Sequence, residues 1–168
     1  MRGLVVYSSV TGNTRRLAEK LYEGLRASGE WSLQDMKDGF DGSAYDVILF
    51  GGWAEGGSLN KQALKSYEQL EKSGKRIGLF MTMGARTSTE HGRMCRENLL
   101  SLLDGVDSLG VQTLQGYIAP ELMEKLGAAP DSVIPASVKE AMQDGVNSYQ
   151  SPTDGDYEAI VSFFREQL

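Results

Sequence analysis

Short apolar runs alternate along the chain with stretches whose apolar residues recur at helical spacing. The first run, residues 3–7, is rich in β-branched residues, and residues 14–25 then carry apolar side chains three or four positions apart. This order is repeated further along the chain. The predicted strands are residues 3–7, 31–34, 46–50, 76–81 and 111–117, of which 31–34 has the least marked pattern. The helices predicted between them cover residues 14–25, 59–70 and 94–103.

The predicted strands are mostly apolar throughout, rather than alternately apolar and polar. Strands of that kind are buried on both faces, as in a parallel sheet that crossover helices cover on either side. Five such strands fit the length of the chain without a linker, an internal repeat or a low-complexity segment. We therefore predict an α/β fold, an open three-layer sandwich formed by a single domain over residues 1–168.

The last third of the chain departs from this alternation. All four prolines lie after the last predicted strand and divide this part of the chain into short pieces. We predict an extended helical C-terminal segment from about residue 118, with helices over 121–126 and 138–146. Thr153 and Asp154 are expected to cap the start of a final helix. The apolar face of that helix is expected to pack against the sheet.

The composition limits the possible classes of function. The net charge of the 168 residues is −6 at pH 7 and no run of lysine and arginine occurs, which disfavours a nucleic-acid binder. Cys95 is the only cysteine, so an intramolecular disulfide is excluded and a cytoplasmic location is expected. We interpret Cys95 as a buried small hydrophobic residue and His91, the only histidine, as a surface or capping residue. No apolar run approaches the roughly 18 residues of a membrane-spanning helix, so we expect no membrane insertion.

Three loops are expected to form the functional site, because ligands of open parallel sheets bind beyond the carboxyl ends of the strands. These loops cover residues 8–14, 51–58 and 82–90. The first consists of Ser8, Ser9, Val10, Thr11, Gly12, Asn13 and Thr14. Its hydroxyl groups, together with the free N–H groups at the start of the next helix, predict a phosphate-binding loop. Gly12 lets the backbone curl closely around the anion.

Other phosphate-binding motifs do not match this chain. The P-loop of nucleoside triphosphatases ends in Gly-Lys-Ser/Thr, and no such lysine is present. The first turn also lacks the GxGxxG pattern of a dinucleotide site. A phosphoacceptor receiver domain needs acidic residues at the ends of its first and third strands, where this chain has Tyr7-Ser8 and Phe50-Gly51.

The pattern Ser9-x-Thr11-Gly12-x-Thr14 resembles the phosphate-binding signature (Ser/Thr)-x-Thr-Gly-x-Thr of the flavodoxin family, and it stands where that family has it, directly after the first strand. The resemblance extends over residues 1–117 in the order of elements, and the tail is similar to that of a short branch of flavodoxin-like proteins found in bacteria. It implies a flavodoxin-like sheet with strand order 2-1-3-4-5 and a noncovalently bound FMN. It also implies that the FMN phosphate is held by Ser9, Thr11, Gly12, Asn13 and Thr14.

The second loop carries Gly52, Trp53 and Ala54, and a tryptophan in this loop often lies against the flavin in flavodoxins. The resemblance therefore implies that Trp53 stacks on the isoalloxazine ring, since two large apolar π-surfaces stack favourably. The glycines on both sides of Trp53 predict an exposed side chain. Flavodoxins commonly have a glycine directly after this aromatic residue, whereas Ala54 and Glu55 follow Trp53 here and Gly56 comes after them.

The third loop begins with Thr82, Met83, Gly84, Ala85 and Arg86. Its backbone N–H groups are expected to bond the pyrimidine edge of the flavin, and Arg86 is expected to stabilise negative charge on the reduced ring. Many flavodoxins have a tyrosine here that covers the outer flavin face, but this loop has no aromatic residue. We therefore expect one flavin face to be more open than usual.

The sequence is compatible with three functional hypotheses. The first is an FMN electron carrier that shuttles electrons between a reductase and an acceptor enzyme, its acidic surplus favouring docking by complementary charge. The second is an FMN enzyme, an NAD(P)H-dependent reductase of quinones or of another small conjugated compound, which the open flavin face favours. The third is an interaction module that has lost its cofactor, and the intact phosphate loop speaks against it.

Overall fold

A computed structural model describes every residue from Met1 to Leu168. The strands are β1 Arg2–Tyr7, β2 Glu30–Asp35, β3 Val47–Glu55, β4 Ser58–Leu59, β5 Arg76–Met83 and β6 Asp107–Gln115. The helices are α1 Asn13–Leu25, α2 Lys61–Gln69, α3 Glu90–Ser101, α4 Pro120–Ala128, α5 Ala136–Ser148 and α6 Asp154–Gln167. Two short 3₁₀ turns, Arg26–Ser28 and Met36–Asp38, flank β2.

Five strands run parallel in one sheet, in the order β2-β1-β3-β5-β6. The two-residue strand β4 lies outside this path and pairs antiparallel with the end of β3. When only the parallel strands are counted, the order is the expected 2-1-3-4-5. The prediction of a three-layer α/β sandwich with a flavodoxin-like sheet is therefore confirmed.

Helices pack on both faces of the sheet, and the central strands are therefore buried on both sides by apolar side chains. On one face, Leu17 and Leu21 of α1 and Phe164 of α6 pack against the strands, and all three side chains are fully buried. On the other face, Tyr67 of α2 and Leu99 of α3 pack in the same manner. None of the helices combines the length and the apolar character needed to cross a membrane.

The start of α6 is fixed by reciprocal hydrogen bonds. The N–H of Asp156 donates to Thr153 Oγ1 at 3.2 Å, and the N–H of Thr153 donates to Asp156 Oδ2 at 2.7 Å. The bonds from Thr153 hold the pKa of the Asp156 carboxyl below its usual value. Thr153 therefore caps the helix, as predicted. Its acidic partner is Asp156 instead of Asp154, because a capping box joins the N-cap residue to the third residue of the helix.

Residues 51–58 do not form the predicted loop. Strand β3 continues to Glu55, and the chain returns through Gly56 and Gly57 into β4. The two glycines have φ angles of 61° and 80°, which suit a two-residue hairpin turn and which glycine adopts without strain. The apolar run ends at Phe50, before Gly51 and Gly52, so the sequence pattern does not show that the strand continues to Glu55.

Strands β5 and β6 also differ from their predicted bounds. β6 spans Asp107–Gln115 instead of 111–117. The apolar pattern does not show its start, because the first residues are polar. β6 is an edge strand of the sheet, where burial on both faces is not required. Thr82 and Met83 were expected in a loop but are the last two residues of β5, and both are buried. These two predicted site residues therefore lie on β5, as Gly52, Trp53 and Ala54 lie on β3.

Substitution of Phe164 tests how strongly the packing of α6 on the sheet stabilises the fold. One of its ring carbons lies 2.6 Å from the position of a Cβ on Gly78, so the ring rests on the backbone of β5. We expect Phe164→Ala to lower the free energy of unfolding by about 3–5 kcal/mol, because it removes a large buried side chain and leaves a cavity. Urea denaturation followed by circular dichroism measures the loss.

Phe163→Ala is the matched control for this substitution. Phe163 is the preceding residue of the same helix and is only half-buried. Its replacement should therefore cost clearly less stability than Phe164→Ala. Equal losses for the two variants would contradict the central place of Phe164 in the core.

Candidate functional site

The first predicted loop lies at the carboxyl end of β1 and leads directly into α1. Gly12 immediately precedes the helix and has the left-handed conformation, with φ 93°. No side chain caps the first N–H groups of α1. The first N–H groups of a helix have no partner within it, and the helix dipole favours negative charge there. This turn therefore fits the phosphate group of a ligand.

The hydroxyl groups of this loop accept hydrogen bonds from within the loop. The N–H of Gly12 donates to Ser9 Oγ at 3.2 Å, and Asn13 Nδ2 donates to Thr11 Oγ1 at 3.3 Å. A hydroxyl that accepts one bond still has its own proton to donate. The hydroxyl protons of Ser9 and Thr11 can therefore point to an anion. Val10, whose side chain has no polar group, is 79% exposed.

Thr14 connects the first loop to the third predicted segment. Its hydroxyl oxygen lies 2.8 Å from that of Thr82, and both residues are almost fully buried. A buried hydroxyl pair is fixed in position, because leaving either group without a partner is costly. Two residues that are distant in the sequence are thus joined at the carboxyl edge of the sheet.

Asn60 is the residue at this edge that the sequence did not single out. It directly precedes α2, in the place of an N-cap, but its side chain makes no capping hydrogen bond. Instead, Asn60 Nδ2 donates to Ser8 Oγ at 3.2 Å, and Asn60 Oδ1 accepts the N–H of Trp53 at 3.3 Å. The residue is 1% exposed. An asparagine before a helix normally predicts a cap, so the pattern does not reveal this link between the first loop and β3.

Trp53 lies near the end of β3. It pairs with Thr82 of β5 in the parallel register, so the two side chains project from the same face of the sheet. Because Thr82 contacts α1, Trp53 lies on the side of the sheet where α1 begins. Trp53 is half-buried instead of exposed as predicted, and Ala54 is half-buried as well. A Cβ on Gly52 would lie 2.4 Å from the Asn60 side-chain oxygen, so only glycine fits at position 52.

The third segment is packed tightly against the chain that follows β6. A Cβ on Gly84 would lie 1.9 Å from Ile118 Cδ1, and Ala85 is 2% exposed. Gln115 Nε2 donates to the carbonyl oxygens of Gly84, at 3.2 Å, and of Gly145, at 3.0 Å. Gly145 belongs to α5 and packs directly on the backbone of Gly84. Helix α5 thus packs against the segment whose lack of an aromatic residue led us to expect a more open flavin face.

Arg86 is engaged with α5. Its Nε and Nη2 donate to the two carboxylate oxygens of Asp144 at 2.8 Å and 3.3 Å. Both side chains are about half exposed, so this ion pair is a modest contribution to stability. The guanidinium that was expected to face a reduced flavin ring thus shares its charge with a carboxylate.

The tail supplies aromatic residues close to the first loop. The rings of Tyr117 and Tyr149 pack with their centroids 5.5 Å apart and a tilt of 55°. The carbonyl oxygen of Tyr117 accepts a hydrogen bond from Asn13 Nδ2 at 2.9 Å. The third loop lacks a tyrosine, but this pair lies next to the phosphate-binding turn. The two residues are far apart in the sequence, so no local pattern predicts the pair.

His91 and Cys95 lie one turn apart on α3, with 3.6 Å between Nε2 and Sγ. Burial lowers the pKa of the His91 imidazole and raises the pKa of the Cys95 thiol, so both neutral forms are favoured. Cys95 is fully buried, as expected. His91 is half-buried and does not cap α3, because Thr89 accepts the N–H of Gly92 at the helix start.

Comparisons with known proteins agree with the fold described above. A family model described as a flavodoxin domain matches residues 4–165. The flavodoxin-like domain-containing protein BilS of Clostridioides difficile (strain CD3) is 32% identical to this chain in an alignment 141 residues long, which covers 79% of this chain and 78% of that protein.

Solved structures of low sequence identity share the fold. Oxidised flavodoxin 1 from Bacillus cereus superposes with a TM-score of 0.64 at 17% identity, over 99% of this chain and 97% of that one. The flavodoxin of Streptococcus pneumoniae TIGR4 gives a TM-score of 0.63 at 16% identity, over 99% and 97%. A Lactobacillus acidophilus flavoprotein in complex with FMN gives 0.51 at 17% identity, over 67% of this chain and 92% of that one. Because the family model covers nearly the whole chain, the protein belongs to the flavodoxin family.

Proposed function

We propose that this flavodoxin is an FMN-dependent electron carrier that takes electrons from a reductase and passes them to an acceptor enzyme. The observation that carries the proposal is the uncapped start of α1 at Gly12, in a loop whose first residue, Ser8, is linked to the end of β3 through Asn60. This arrangement supports a phosphate subsite and a ring subsite at one edge of the sheet. FMN, the cofactor of the family, supplies reversible uptake and release of electrons when it is bound.

The donors that the first loop offers to a phosphate are neutral. The backbone N–H groups at the start of α1 and the hydroxyl protons of Ser9 and Thr11 are the groups that bind the anion. The Asn13 amide already donates to Tyr117 and Thr11, so its role is to shape the turn. Gly12 has no Cβ, which leaves the backbone of the turn accessible to the phosphate.

The ring subsite is formed by the ends of β3 and β5. The half-buried indole of Trp53 offers an aromatic face, and its backbone is fixed by Asn60. Of the residues from Thr82 to Arg86, only Gly84 and Arg86 are not buried, so this segment contributes through the backbone around these two positions. A rigid ring subsite suits an electron carrier, because little rearrangement is then needed when the charge of the cofactor changes.

The contact between α5 and the third segment favours the carrier over the NAD(P)H-dependent enzyme. The enzyme hypothesis depends mainly on an open flavin face beside this segment. Gly145 packs on Gly84, and Arg86 pairs with Asp144, so α5 occupies space beside the segment. A protein-to-protein route for the electrons needs only an accessible cofactor edge.

The partners are proposed to be redox proteins with basic docking surfaces. The chain has an acidic surplus, and α4 and α5 expose the carboxylates of Glu121, Glu124 and Glu140. Leu122, also exposed, lies among them on α4. Complementary charge raises the rate of encounter and makes docking sensitive to salt. The cytoplasmic location expected from the single cysteine stays a prediction.

The carrier proposal is tested by reconstitution with FMN. We expect the apoprotein to bind FMN and to be reduced stepwise by dithionite, with the flavin absorbance bands as the readout. The reconstituted protein alone should not oxidise NADH or NADPH in the presence of a quinone. A flavodoxin reductase should restore electron flow. Unaided turnover would favour the enzyme hypothesis, and a failure to bind FMN would favour the cofactor-free module.

Trp53 is expected to contribute to FMN affinity through stacking. Aromatic stacking contributes about 0.5–1.5 kcal/mol beyond the burial of apolar area. We therefore expect Trp53→Ala to raise the Kd of FMN about tenfold or more, measured by the quenching of flavin fluorescence. Trp53→Phe is the control, since it retains a smaller aromatic face and should lose less. An unchanged Kd in Trp53→Ala would exclude Trp53 from the ring subsite.

Asn60 is expected to act as a positioning residue. Asn60→Ala leaves Ser8 Oγ and the N–H of Trp53 without this partner, so we expect a loss of about 1–3 kcal/mol in the free energy of unfolding. We also expect a higher Kd for FMN, because both subsites lose a support. Urea denaturation and flavin titration measure the two effects.

Gln62→Ala is the matched control for Asn60→Ala. Gln62 Oε1 also lies within reach of Ser8 Oγ, at 3.4 Å, but the residue is exposed. Its replacement should change the free energy of unfolding by less than about 0.5 kcal/mol. If both variants behaved alike, the special role of the buried Asn60 amide would be disproved.

A further inference from the structure

We propose that Arg16 is a further residue of the phosphate subsite and that it increases the preference of the protein for FMN over unphosphorylated riboflavin. The inference rests on the FMN site of the proposed function and adds a cation to it. The residues that the sequence assigned to the phosphate are all neutral. Arg16 lies outside the signature that carries the family resemblance.

The Arg16 side chain folds back over the phosphate-binding turn. It begins one helical turn after Gly12, and helical side chains point toward the N-terminus of their helix. Arg16 Nη2 donates to Asn13 Oδ1 at 3.0 Å, and Nη1 lies 3.7 Å from the position of a Cβ on Gly12. The guanidinium therefore lies against the turn whose N–H groups have no cap.

The charge of Arg16 has no partner within the chain. Arg16 takes part in no salt bridge, and the Asn13 oxygen that holds it is neutral. The first turn of α1 contains no acidic residue. A cation close to the positive end of a helix dipole is unfavourable on its own. A phosphate bound between them is attracted both by the Arg16 guanidinium and by the positive end of the helix dipole.

A phosphate monoester carries about −1.5 to −2 charges at pH 7. A guanidinium presents its N–H groups in a planar fork that matches phosphate oxygens, and charge-assisted bonds of this kind are stronger than neutral ones. Riboflavin has the same ring system without the phosphate. An interaction of Arg16 with the phosphate therefore changes the affinity for FMN and leaves the affinity for riboflavin unchanged.

Arg15 provides a control of equal charge. It is the neighbouring residue on the same turn of α1, but its Nε donates to Glu19 at 2.8 Å, so its charge is already paired. Both arginines are exposed, and neither replacement opens a cavity. Thermal unfolding of Arg16→Gln and Arg15→Gln should give midpoints close to that of the wild type, which confirms that the variants are folded.

The test measures the Kd of FMN and of riboflavin for the apoprotein by flavin fluorescence. We expect Arg16→Gln to raise the Kd of FMN about tenfold at low salt, with a smaller rise at high salt, and to leave the Kd of riboflavin unchanged. Arg15→Gln should change either constant by less than about twofold.

An unchanged Kd of FMN in Arg16→Gln would overturn the inference. Equal rises in the two arginine variants would also overturn it, because they would reflect net charge alone. An equal rise for FMN and riboflavin would do the same, since the phosphate would then not be the group contacted. If the wild-type protein binds neither flavin, the proposed function fails together with the inference, and this result is distinct from a failure confined to Arg16.

Discussion

Buried polar groups at the edge of an apolar core fix the geometry of the site. Asn60 is 1% exposed, and its amide can be buried there because it donates to Ser8 and accepts from Trp53. Thr14 and Thr82 satisfy each other in the same way. Leaving any of these groups unpaired would cost about 1–3 kcal/mol. The bonds therefore hold the first loop and the start of α1 in place relative to the ends of β3 and β5.

The glycines of the site follow from the same close packing. Gly52 and Gly84 have no positive φ angle, so neither is required by the backbone conformation. A Cβ at position 52 would displace the Asn60 oxygen, and one at position 84 would overlap Ile118. The glycine before Trp53 thus permits the hydrogen bond that holds the strand end, and it does not mark an exposed loop. Only Gly12 combines a left-handed φ with a place in the ligand-binding turn.

The parts of the fold that depend on local patterns could be predicted from the sequence. Continuous apolar runs are sufficient to indicate a parallel sheet, and the hydroxyl-rich turn after β1 is contiguous in the chain. Contacts such as those of Arg86 with Asp144 and of Tyr117 with Tyr149 join residues far apart in sequence, so they depend on how the tail folds back. Asn60 was missed for another reason. Its position predicts a helix cap, and tertiary packing directs the side chain inward.

The charge distribution reconciles an acidic chain with an anionic cofactor. FMN adds a phosphate to a protein whose net charge is already −6, so carboxylates near the phosphate would weaken binding. The first turn of α1 has no acidic residue, and Glu19 in the next turn is paired with Arg15. The exposed carboxylates of Glu121, Glu124 and Glu140 are on α4 and α5, and none of them belongs to the first loop or to α1. Attraction of a basic partner and retention of the phosphate can therefore operate through separate groups, which a uniformly acidic surface would not allow.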